Sequence, residues 1–325
     1  MERHGGVATL NGINGRKDIF TFYSSDAGTN WYATLLMTNI GIAEFGLFGG
    51  GNDGGYVAAT NKYVYSGDTV TSGTNLLTPR FSLAACGNST VGIFGGGYAS
   101  GISAVTTKYV YSSDAVTASN NLLVVRQDLT ACGNSTVGIF GGGNTGTFSL
   151  VTDKYTYSSD AVTSGTSLLA AKDQLAACGN STTGIFGGGN TGSVSSTTNK
   201  YAYSNDAVTS GTSLDVARQQ LAACGNATVG IFGGGVISGG ANTGITDKYV
   251  YSNNTVLSVT ALITPRYSPA ACGGTGTGIF GGGYGGSRLS TTVKYGFFSD
   301  VVSSGTSLSS GRYYLAASSN SHGGL

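Results

Sequence analysis

The sequence predicts an all-β fold, a seven-bladed β-propeller of four-stranded antiparallel blades, on three observations. An Ile-Phe pair followed by glycines recurs at 93/94, 139/140, 185/186, 231/232 and 279/280, with Leu47-Phe48 as an earlier copy; the steps are 46, 46, 46, 46 and 48 residues. A turn ends at Asp26, Asp68, Asp114, Asp160, Asp206 and Asp300, with Asn254 in the remaining place, which makes seven turns in 325 residues. Each unit reads as four short strands between turn signals, the sequence form of a propeller blade.

The unit around residues 82–123 shows the elements in order. "SLAAC" (82–86) is small and apolar. "TVGIF" (90–94) is apolar on both faces, as a strand sandwiched between neighbouring blades must be. The glycines after it permit positive φ and close backbone approach as the chain crosses to the third strand. "KYVYS" (108–112) alternates with period two, and "TASNNLL" (117–123) completes the unit. No segment keeps a 3.6-residue period, so almost no helix is expected.

The ring is expected to close through both termini. "DIFTFYSSDA" (18–27) and the segment from Trp31 to Met37 read as third and fourth strands of a first unit. The C-terminal "YYLAASSNS" (313–321) matches "FSLAACGNS" (81–89) and would supply the first strand of that same blade. Its second strand would come from residues 7–10 or from the last residues of the chain. Residues 1–325 would thus form a single domain.

The repeated residues resemble kelch repeats: Ile93-Phe94-Gly95-Gly96, the Tyr109-Val110-Tyr111 strand, and Pro79-Arg80 or Pro265-Arg266 before the next unit. The resemblance runs through the whole chain. It departs at the Trp that follows the third strand in kelch units, where this chain reads "TSGTSL"; Trp31, its only Trp, lies near that place in the first unit alone. The resemblance implies a degenerate, Trp-poor kelch-like propeller in the style of phage and bacterial chains.

Composition excludes several function classes. Only 10% of residues are charged and the net charge is +1 with no basic stripe, against a nucleic-acid partner. No apolar run approaches 18 residues, so no membrane insertion is expected. The opening "MERHGGVATL" lacks a secretory apolar segment, so no signal peptide is expected. Five cysteines occupy one repeat position, Cys86, Cys132, Cys178, Cys224 and Cys272, one per unit. They read as free, buried side chains near the axis, too far apart to pair. No metal-ligand spacing appears, and His4 and His322 are the only histidines. Kelch-like copper oxidases use several His ligands, which this chain lacks. No catalytic motif is present, and neither enzymatic activity nor a cofactor is expected.

Twelve of the 16 basic residues belong to the repeat, as the Lys before Tyr and the Arg80 position. Eleven of 19 tyrosines belong to the Tyr-x-Tyr strand. These read as packing and inter-blade bonds. The units differ most between second and third strands. Those connections share a face with the fourth-to-first connections, where Phe81, Tyr267 and Tyr313 also vary. Loops on a rigid scaffold commonly carry binding, so the expected site residues are Asp53, Tyr56, Tyr98, Phe148, Tyr284 and Arg288.

The expected function is non-enzymatic: a structural or interaction module of a larger assembly, such as a phage tail, fibre or capsid decoration. Its partners would be other proteins of that assembly or a host-surface glycan. The location would be virion or cytoplasm, virion favoured by analogy. The alternatives are a multivalent glycan-binding lectin with similar sites around the axis, or an intracellular kelch-type scaffold.

Overall fold

The structure is a computed structural model. It describes residues 43–321 and the backbone of three earlier strands. The chain divides into two compact units, Met1–Ala43 and Glu44–Leu325. In the first, β1 (Gly6–Asn11), β2 (Lys17–Tyr23) and β3 (Tyr32–Met37) form a three-stranded antiparallel sheet of their own. Asp26 and Trp31 lie outside the described residues.

The second unit is a propeller, and among the described residues it has six blades, not seven. In the first blade, β4 (Phe45–Gly49), β5 (Thr60–Val64) and β6 (Thr69–Gly73) follow one another outwards, and the C-terminal strand Ala316–Ser319 is the innermost. It pairs antiparallel with β4, Ala316 opposite Gly49 and Ser319 opposite Gly46. The second blade is β7 (Ala84–Gly87), β8 (Val91–Gly95), β9 (Thr106–Val110) and β10 (Ala115–Ser119). The remaining four start on the inner strands Thr130–Gly133, Ala176–Gly179, Ala222–Gly225 and Ala270–Gly273. Every blade has four antiparallel strands, and all regular structure among the described residues is β.

The blade count is corrected for a physical reason. A blade needs an inner strand, and the small apolar stretch that forms one occurs only six times. The C-terminal copy fills the place beside β4. Of the strands predicted at 18–27 and 31–37, the first pairs instead with residues 6–11 and the second pairs with the first, so the chain closes its ring without them. Seven turns were countable because the N-terminal sheet borrows the same third-strand and turn pattern.

Burial follows strand position. The second strand is buried at all five residues in the first four blades, as in β8 and Val137–Gly141. Third strands alternate, with Tyr63, Tyr109, Tyr155, Tyr201, Tyr249 and Tyr295 fully buried. Fourth strands are the outer edge; β6 and β10 are mostly exposed. Charges tie the blades together. Lys62 pairs with Asp114, Lys108 with Asp160 at 2.8 Å, Lys154 with Asp206 at 2.7 Å, Lys248 with Asp300, and Lys294 with Asp68. Lys200 reaches the neutral Asn254 at 3.1 Å.

The cysteines are free and buried, and each inserts into the next blade. Cys86 meets Gly138 and the Tyr157 hydroxyl. A Cβ on Gly138 would fall 2.3 Å from the Cys86 sulfur, so glycine is required there. Ser318 takes the cysteine place against Tyr111, whose hydroxyl bonds its Oγ at 3.0 Å.

Candidate binding face and axial mouth

The loops between second and third strands and the links from fourth to first strands open on one face, and paired backbone bonds knit them. Phe81 bridges Tyr98, Gln127 bridges Asn144, Asp173 bridges Asn190, Gln219 bridges Val236, Tyr267 bridges Tyr284, and Tyr313 bridges Asn52. The turn begins at paired glycines such as Gly96 and Gly97, with φ of +70° and +96°.

The Arg80 position supports this face from below and does not present charge on it. Arg80, Arg126, Arg218, Arg266, Arg312 and Lys172 are fully buried. Arg126 donates to the carbonyls of Gly142 (2.8 Å) and Val151 (2.6 Å) and pairs with the equally buried Asp153 at 2.6 Å. Arg312 reaches Ala59 O at 2.6 Å and Asn61 Oδ1 at 2.7 Å.

At the centre of the face, one residue from each blade forms a collar: Ser82, Asp128, Gln174, Gln220, Ser268 and Tyr314. All six have left-handed backbones, φ between +49° and +57°. That conformation costs a non-glycine residue about 1–2 kcal/mol, and a bulky Tyr is an outlier in it. It is held by a closed circle of backbone bonds. Asp128 N–H donates to Ser82 O, Gln174 to Asp128, Gln220 to Gln174, Ser268 to Gln220, Tyr314 to Ser268, and Ser82 to Tyr314, all at 2.7–3.0 Å. Strain kept in place by such over-determination is a mark of functional sites.

The collar side chains line a cavity of about 80 Å³, floored by Leu83, Leu129, Leu175, Leu221, Pro269 and Leu315. Below it the inner strands enclose an axial channel of about 190 Å³. Burial raises the Asp128 carboxyl to about 6; the Ser82 hydroxyl opposes this and the charge of Asp173 adds to it. Gln220 Nε2 donates to the Tyr314 hydroxyl. Burial, then the charge of Asp128, pushes the Tyr314 phenol upward. The Ser268 hydroxyl lies against the Tyr314 phenol and partly offsets that rise, while Gln174 Oε1 is buried without a hydrogen-bond partner in the protein.

Around one side of the mouth runs an arc of seven aromatic rings. Tyr98 packs on Tyr56 (5.9 Å between centroids) and on Phe81 (5.5 Å), and Tyr56 packs on Phe81 (4.9 Å). Phe81 meets Tyr314 at 5.9 Å, and Tyr314 meets Tyr313 at 4.9 Å. Tyr313 then meets Tyr267 (6.1 Å) and Tyr284 (5.6 Å). The arc covers three consecutive blades. The opposite three present Gln127, Asn144, Asp173, Asn190, Gln219 and Val236 at the corresponding bridges. Similar sites repeated around the axis, expected from the repeat, are therefore not what the face offers.

The structure unites some of the predicted residues. Tyr56, exposed, and Tyr98, half-buried, share one end of the arc, and Tyr284 forms the other. Asp53 and Arg288 are exposed on loops of adjacent blades, and the Arg288 guanidinium lies near Gly54. Phe148, exposed on the third blade, stands apart from the arc. The collar was missed by sequence reasoning. Its signal was a polar, variable column directly before the invariant-looking Leu-Ala-Ala-Cys stretch.

The sequence matches no family model and no curated protein. Among solved structures the chain is similar in fold to YjhT, with a TM-score of 0.63 and 12% identity over 75% of this chain and 88% of YjhT. At that identity the likeness carries the propeller architecture alone. No helix among the described residues is long and apolar enough to cross a membrane.

Proposed function

We propose that the protein is a non-enzymatic, kelch-like interaction module that works through the mouth face. It would serve as a component of a larger assembly, such as a virion tail, fibre or capsid decoration, and attach it to a partner protein or a host surface. The aromatic arc carries this reading. Exposed and half-exposed Tyr rings on rigid, bonded loops supply large contact area at little entropic cost, the composition of binding hot spots. The repeat's basic groups support a role without chemistry, since the Arg80-type side chains are spent on backbone carbonyls and buried carboxylates.

The test is attachment of the purified chain to its native source surface, with Tyr98, Tyr284 and Arg288 replaced together by Ala. Loss of attachment with a melting temperature within a few degrees of wild type is expected. The opposite-face variant Phe298→Ala/Val301→Ala, altering side chains 78% and 61% exposed, should attach normally. Loss in that control with retention in the triple variant would place the working surface on the other side.

A further inference from the structure

We propose that the axial mouth is a subsite for one neutral hexose at the end of a glycan, with the aromatic arc as the platform for the sugars that follow it. This deepens the reading of the mouth face as the binding surface and rests on it.

The polar groups converging on the mouth are those a sugar edge requires. A hexose hydroxyl both donates and accepts. The collar offers the Asp128 carboxylate and the Gln174 amide oxygen as acceptors, and the Ser82, Ser268 and Tyr314 hydroxyls in either role. Gln174 Oε1 is buried without a hydrogen-bond partner in the protein, and such a buried group calls for a polar partner. The ring cannot relax away from its position, because each collar backbone is fixed by two neighbours.

Size and charge narrow the class. A water needs about 10–15 Å³ on the scale in which this cavity measures about 80 Å³. The mouth therefore has room for about five to eight waters, a volume on the order of one hexose. The Arg80-type cations under the face are buried and engaged, while the Asp128 carboxyl lines the mouth and Asp173 lies close enough behind it to add negative charge. An anionic sugar would be repelled by carboxylates there, and a neutral one would not. The leucine floor suits the apolar C–H side of the ring, and Phe81, Tyr313 and Tyr314 at the rim offer faces for stacking.

The test is titration of the full chain with the methyl glycosides of glucose, galactose and mannose, read by saturation-transfer NMR and calorimetry, with glucuronate as the charged counterpart. At least one neutral glycoside should bind, glucuronate should bind at least tenfold more weakly, and a trisaccharide of the preferred sugar should bind tighter than the monosaccharide. Asp128→Asn keeps a residue that tolerates the left-handed backbone and should weaken binding about tenfold or more. Gln174→Asn should do the same, and melting curves certify both variants as folded. No binding of any neutral glycoside, or equal binding by the folded variants, overturns the proposal. If the glycosides fail while the Tyr98/Tyr284/Arg288 variant still loses attachment, the subsite falls and the binding face stands. If a glycoside binds through Asp128 while that variant attaches normally, the subsite stands and the attachment role of the arc falls.

Discussion

Lys294 in the last blade donates its ammonium to Asp68 at the turn of the first. That contact closes a circuit in which each third-strand lysine reaches the turn of the following blade. Asp68 also accepts from the Tyr63 hydroxyl and from Thr306 N–H at 2.9 Å, so one carboxylate joins strands 226 to 238 residues apart in sequence.

Asp68→Ala should destabilise the protein by about 2 kcal/mol, through lost charge-assisted bonds and through an Ala forced into a φ of +48°. Asp68→Asn, which tolerates that backbone, should cost less. Asn254→Asp should stabilise by up to about 0.5 kcal/mol by giving Lys200 a charged partner, and the gain should shrink in high salt. Urea melts of the three variants check these values; a wild-type midpoint for Asp68→Ala would contradict the account.

Deleting residues 316–325 should lower the melting temperature sharply. The deletion exposes β4, buried at all five positions, and opens an edge that invites aggregation. Deletion of residues 1–42 should be tolerated better, since the ring unit supplies all six blades from residue 44 onwards. Equal melting of the two truncations would refute the closure by Ala316–Ser319.

Thiol reagents should label none of the five cysteines at neutral pH in the native state and all five in denaturant. Burial raises the thiols of Cys86, Cys132, Cys178 and Cys272 to about 12, and the Tyr157 hydroxyl only partly offsets this at Cys86. Cys86→Ser should be well tolerated, because Ser318 already fills the equivalent place. Rapid native labelling would contradict the burial.

Asp128 gives a pH signature with a definite sign. Its carboxyl titrates near 6 in the folded protein and near 3.9 unfolded. The folded state therefore holds the extra proton between those values, and stability falls as pH rises from about 4 to about 6. The loss is at most about 3 kcal/mol. Asp68 acts oppositely. Burial alone would raise it, but Lys294, Tyr63 and Thr306 hold it at about 2, so its contribution is present above pH 4 and lost in stronger acid. Asp128→Asn should reduce the decline between pH 4 and 6, to which the carboxyls of Asp153, Asp173 and Asp247, also raised by burial, add in the same direction, and should leave the acid limb unchanged. A wild-type pH profile in that variant would contradict the burial of this carboxyl.

The four-strand blade, its two-sided second strand, the shared loop face and the buried cysteines were legible because each repeats as a column of the sequence. The blade number was not. Asp26 looks like any other turn residue, and only pairing decides whether the strands before it join the ring or make a separate sheet. The collar was illegible for a related reason. Ser, Asp, Gln and Tyr in a column look like drift until the backbone turns left-handed and aims all six at one axis. The aromatic arc was half visible: Tyr56, Tyr98 and Tyr284 stood out as loop aromatics, but their continuity through Tyr313 and Tyr314 depends on the first and last segments sharing a blade.

A ring of six nearly interchangeable blades would ordinarily have no preferred compass bearing. The collar and arc give it one, because aromatic rings occupy three consecutive blades and amides and a carboxylate the other three. A partner seated on the axis, as proposed above, would thereby be fixed in azimuth as well as in depth, and the mouth would take one such partner, not six. If the protein stands in a larger particle, its rotation about its own axis is determined by what it holds, so the repeat supplies rigidity and the departures from the repeat supply direction.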